Sequence, residues 1–142
     1  MKNSSLKHGD LLITKTGRIN TENSSLGRAA IYLGEDDCAN LNGHVYLMRL
    51  KDNLNRIFIL SIITSDSYYK YIRSVCVGVD KYQLNKEHLE NFPIIQPPME
   101  LQNKFSDIIQ MIESQKPKLL EQLELAEDLF KSLQNQAFRE TL

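Results

Sequence analysis

Two short runs carry side chains suited to gripping an anionic, base-bearing polymer. Thr14-Lys15-Thr16-Gly17-Arg18 offers two cations and two hydroxyls around a glycine that permits close backbone approach. Asp80-Lys81-Tyr82-Gln83 adds a cation, a stackable ring and an amide able to hold adenine through two hydrogen bonds. Cations hold phosphates, while amides and guanidinium groups read base edges, so both sets suit DNA. They also suit any solvated loop, and residue types alone leave the two readings open.

Catalytic constellations are missing from the sequence. No glycine-rich phosphate loop or dinucleotide fingerprint is present. His8, His44 and His88 are scattered without ligand spacing, and nothing resembles a nucleophile elbow. Cys38 and Cys76 make neither a disulfide framework nor a zinc site and read as reduced thiols. Gln96-Pro97-Pro98-Met99 has the two prolines of the amino-methyltransferase loop. It lacks that loop's leading Asn or Asp and its closing aromatic, and it opens a helix rather than closing a pocket. The prolines of "PIIQPP" are four apart and miss the three-residue polyproline period. The expectation is a protein that is not an enzyme and needs no cofactor or metal.

At 142 residues one domain is the default and a real core can form. No apolar run is long enough for a bilayer, and "MKNSSLKHGD" holds no signal-peptide segment, so the expected compartment is the cytoplasm. The net charge of −1 argues against a strongly basic nucleic-acid binder but hides a split. Residues 1–98 carry 12 basic and 10 acidic groups, whereas residues 99–142 carry 5 and 8. That gradient permits a phosphate-facing surface in the N-terminal part without requiring one.

The elements that must position these side chains follow from apolar periodicity. "GDLLITKTGR" (9–18) reads as turn, strand, turn, and "RAAIYLG" (28–34) and "HVYLMRL" (44–50) read as strands. "NRIFILSIITS" (55–65) is rich in β-branched residues, yet its spacing with the following segment favours helix. Ser65 or Ser67 caps a second helix, and "VGVDKYQLN" (77–85) reads as a turn-rich link. Asn85 caps a short turn before an expected strand "FPIIQ".

From Pro98 the period changes. Phe105, Ile112, Leu119, Ala126 and Leu133 form one column seven residues apart, and Ile109, Lys116, Leu123, Phe130 and Ala137 form a second offset by four. Together they make a heptad seam with one polar member, Lys116. Pro98 suits a helix start. Pro117 is the misfit and is expected to kink or divide the helix, although the seam keeps its phase across it. A helix over 98–139 spans about 63 Å, against about 25–30 Å for the domain before it. Such a seam either lies on the strands of its own chain or pairs with another helix. The flanking charges Lys118, Glu121, Glu124, Glu127, Asp128 and Lys131 favour pairing.

The order of these features resembles the specificity subunit of type I restriction-modification systems, over residues 6 to 142. "GDLLITKTG", "FPIIQPPMELQ" and "SLQNQAFRETL" carry the likeness most specifically. The resemblance implies an α/β (α+β) target-recognition domain with a small mixed sheet in residues 1–97. It implies a long coiled-coil-type spacer and dimerisation helix in 98–142. In that family the recognition domains read DNA bases without catalysis, and two long helices pair antiparallel, set the gap between half-sites and dock methyltransferase subunits. Carried onto this sequence, the DNA-binding residues are Lys15, Thr16, Arg18, Lys81, Tyr82 and Gln83. The helix-pairing residues are Leu119, Leu123, Ala126, Phe130, Leu133 and Ala137.

The chain departs from the family pattern in holding one recognition-domain and helix unit rather than two, and that unit is short at its N-terminus. The expected partners are double-stranded DNA, a methyltransferase subunit, a restriction subunit and a second copy of the chain, with no membrane. The alternative is a truncated half-subunit acting as a protein–protein adaptor or decoy without DNA binding of its own.

Overall fold

The computed structural model describes residues 5–19, 21, 23–78 and 81–140. They form two compact units, Met1–Asn103 and Lys104–Leu142.

The first unit is built on β1 (Leu11–Thr14), flanked by β3 (Ala29–Ile31) and β4 (Val45–Met48) in a sheet of order β3-β1-β4. A second, two-stranded ribbon joins β2 (Thr16–Gly17) to β5 (Tyr82–Gln83). The α+β expectation holds, with one correction. The sheet was expected to be mixed, but the strand pairs among the described residues are antiparallel. The first helix, α1, comes only after β4, so no helical crossover of the kind that joins parallel neighbours lies between these strands.

Strand β1 alternates, with Leu11 and Ile13 fully buried. They pack in one core with Ile59 and Ile63 of α1 (Arg56–Ile63) and Tyr68 and Ile72 of α2 (Asp66–Val75). The β-branched run of α1 is helical because Asn55 caps it, its side-chain oxygen accepting from the backbone N–H groups of Ile57 and Phe58. Ile59 and Ile63 then fall one turn apart on the inner face. Ser65 caps α2 by accepting from the Tyr68 N–H. Tyr68 stacks edge-on against Phe92, and burial pushes its phenol pKa far up. Its hydroxyl is buried without a hydrogen-bond partner among the described residues. Asp10 is buried at the mouth of β1 and takes both Arg49 Nε, at 2.9 Å, and Arg49 Nη2, at 2.6 Å.

Asn85 precedes α3 (Lys86–Glu90), and its N–H donates to His88 Nδ1 at 3.2 Å. Two expectations fail near here. The segment "FPIIQ" is irregular rather than a strand. Prolines at both ends deny it a ladder, and its carbonyl at Pro97 is taken by a side chain, Gln102 Nε2, at 2.8 Å. The link at 77–85 is not all turn, since it contains β5.

Helix α4 (Met99–Glu140) opens with Gln102 buried inside the first unit. The Gln102 carbonyl oxygen accepts the Asn55 N–H at 2.9 Å while its amide donates to Pro97, so the cap of α1 and the start of α4 share one side chain. Asn55 Nδ2 also donates to Asn103 Oδ1 at 2.9 Å.

In the second unit the helix runs through Pro117 without a break. The proline forfeits one backbone bond, to the Glu113 carbonyl, and the remaining ladder carries the helix past it. Every residue from 110 to 139 is exposed. Leu119, Leu123, Phe130 and Leu133 are each more than half exposed, as are Met111, Leu125 and Leu129.

Candidate nucleic-acid interface

The two polar runs singled out in the sequence meet in the β2–β5 ribbon. Thr16 lies opposite Gln83, and Gly17 opposite Tyr82. Residues of two segments far apart in sequence thus become neighbours in one ribbon. Arg18 follows β2 and is exposed, and Lys81 precedes β5 and is exposed. Asp80, which the same reading included, lies outside the described residues.

Buried neighbours hold the ribbon's backbone. Leu84, next to Gln83, is fully buried, and its N–H donates to the Lys15 carbonyl at 2.7 Å. Tyr46 donates its hydroxyl to the Leu84 carbonyl at 3.1 Å. The Lys15 N–H donates to His44 O at 2.8 Å, and its ammonium rests 4.3 Å from the centre of the Tyr46 ring. Lys15 is therefore fixed in place by a cation–π contact, unlike exposed Lys81. Gly17 abuts Leu26 so closely that a β-carbon there would sit 2.4 Å from the Leu26 backbone nitrogen. Ser25 donates its hydroxyl to the Thr16 carbonyl at 3.0 Å, which ties the following loop to the same strand.

The ribbon offers a neutral amide, a half-buried phenol and exposed cations on a fixed backbone. Gln83, Lys81 and Arg18 are exposed, and an amide and cations are the groups that can meet base edges and phosphates.

Beside it lies a cavity of about 360 Å³ lined by Ile19, Ser24, Leu26, Arg28, Tyr69 and Arg73, with Ala29 and Ile72 completing its wall. Sequence reasoning missed this cavity. Arg28 ends a loop and Arg73 lies in the last turn of α2, and no spacing rule links them. Arg28 entered the sequence reading only as the first residue of the expected strand "RAAIYLG".

Neither cysteine shows the surroundings of a reactive thiol. Burial pushes the Cys76 thiol up, and Cys38 Sγ lies 3.7 Å from a carboxylate oxygen of Glu35. Among the described residues no cluster of His, Cys, Asp and Glu could hold a metal ion, and no helix is long and apolar enough to cross a membrane.

Residues 2–125 match the family described as type I restriction modification DNA specificity domain. No curated protein matches the chain.

Proposed function

Because this chain belongs to the family of type I restriction-modification DNA specificity domains, its broad role is DNA sequence specificity, and we infer that the β2–β5 ribbon is where it reads DNA. The carrying observation is the pairing of Thr16–Gly17 with Tyr82–Gln83. It brings the segment of Lys15, Thr16 and Arg18 beside the segment of Lys81, Tyr82 and Gln83, with Tyr82 packed partly against the core. Gln83 reads a base edge, Tyr82 and Thr16 flank it, and Lys81 and Arg18 hold phosphates on either side. The chain itself carries out no catalysis. It supplies sequence readout to a separate methyltransferase subunit, and through that subunit to a restriction subunit.

The second unit serves assembly in this reading. Two copies of α4 pair antiparallel through Leu119, Leu123, Ala126, Phe130, Leu133 and Ala137. Burying each large apolar side chain contributes about 1.5–3 kcal/mol, and at present the leucines and Phe130 stand in water. A two-fold pair presents identical readers to a palindromic, interrupted site. Leu125 and Leu129 lie roughly 100° around the helix from that seam and are left for the methyltransferase subunit.

Electrophoretic titration of the chain with duplex DNA, alone and with a methyltransferase subunit, tests this. Sequence-dependent retention is expected. No retention in any combination overturns the DNA reading. Capture of the methyltransferase without DNA binding favours the adaptor role, which the exposed seam alone already suits.

A further inference from the structure

The cavity beside the ribbon is lined by two arginines, Arg28 and Arg73, that have no carboxylate partner among the described residues. Both are exposed. Cations left without a counter-ion around one concavity raise the local concentration of anions. An arginine's planar fork matches the oxygens of a phosphate in a way a lysine does not.

Both arginines stand on fixed backbone. The Thr14 N–H donates to the Arg28 carbonyl and the Gly27 N–H to the Thr14 carbonyl, each at 3.0 Å, so the loop end is stitched to β1. Gly27 has φ +70 and lies against Ile72, where a β-carbon would come within 3.2 Å of the Ile72 side chain. That close approach draws the loop onto α2, the helix that carries Arg73. Ser24 accepts the Leu26 N–H at 3.2 Å, which leaves its hydroxyl proton to donate elsewhere. Leu26 and Ile72 make an apolar floor. Ile19, also in the lining, is two residues beyond β2, so the cavity continues the ribbon's surface.

We propose that this cleft is a seat for a DNA backbone phosphate, gripped by the Arg28 and Arg73 guanidinium groups and the Ser24 hydroxyl, that sets the register of the duplex against the ribbon. It carries no sequence information itself. The inference rests on the DNA reading above and adds an anchoring site to it.

The test is fluorescence-anisotropy titration of the full chain, with methyltransferase subunit, against a bound-site duplex and a random duplex over a series of salt concentrations. Arg28→Ala and Arg73→Ala are each expected to weaken binding about tenfold and to lower the log K against log salt slope by about one, equally on both duplexes. Arg28→Lys and Arg73→Lys recover the slope but only part of the affinity. Thermal melts matching the parent show that the variants fold. If the parent binds and the slopes do not change, this proposal falls while the DNA reading stands. A loss confined to the bound-site duplex assigns the arginines to base readout and also overturns it. If the parent binds no duplex, both readings fall. Inorganic phosphate, titrated alone, separates a free-anion site: saturation without competition against DNA overturns the proposal.

Discussion

Thr16 and Gln83 face each other across an antiparallel pair, although most of the domain's sequence lies between them. Their pairing joins two separate segments into one ribbon, and Gln83 is an exposed amide upon it. Gln83→Ala is expected to remove about 1–3 kcal/mol of discrimination at one adenine position. Competition titrations with single-base-substituted duplexes measure it. The melting temperature should not change, because the side chain is exposed.

Gly17 has no space for a β-carbon, since the atom in its way is the backbone nitrogen of Leu26. Gly17→Ala therefore moves either β2 or the loop behind it. The expected loss is about 1–3 kcal/mol of stability. A lowered denaturant midpoint at unchanged slope, with weaker DNA binding, is the matching observation.

Gln102 satisfies the Asn55 N–H and the Pro97 carbonyl together from a buried position. Gln102→Leu keeps the volume and leaves both groups unmet, at about 1–3 kcal/mol each. Chemical denaturation followed by aromatic fluorescence reads the loss. An unchanged midpoint contradicts the account.

The Arg49 guanidinium beside Asp10 holds that carboxyl below its ordinary value of 3.8; burial opposes this, and the Lys7 N–H adds to it at 2.7 Å. A carboxyl depressed on folding contributes stability that is present above the unfolded value and is lost as pH falls through the folded one. Melting temperature should therefore fall as pH drops below about 3.8. In Arg49→Ala the neutral-pH melting temperature is lower and that acid-dependent step is smaller.

Phe130→Asp places a charge in the apolar seam. It should convert a paired species to a single chain in multi-angle light scattering, with helix content by circular dichroism falling only modestly. Identical masses for variant and parent exclude the seam as the interface.

The parts of the fold legible in the sequence were those with local causes. The apolar runs at Leu11, Ala29 and Val45 gave strands, and Ser65 and Asn85 marked helix starts, whereas the Asn55 cap was not read. Strand β5 was read as a link because two residues have no periodicity to detect, and its strand character comes only from pairing with β2. "FPIIQ" was read as a strand because apolar composition outweighed its prolines. Pro117 was expected to kink or divide the helix, and the helix is not divided there, since one missing hydrogen bond is small beside the rest of the ladder. The two polar runs were named as separate segments, and their pairing in one ribbon is a product of the fold. The Arg28–Arg73 cleft was illegible for the same reason: it exists only once the loop at 23–28 lies on α2.

Leu84 is fully buried while its neighbour Gln83 is exposed. The boundary between what anchors the ribbon and what faces outward therefore falls between two adjacent positions. Lys81 and Gln83 can be exchanged without disturbing what secures the chain beneath them. On the proposed reading of the ribbon, a lineage under pressure to recognise new sequences needs only to respell those outward letters.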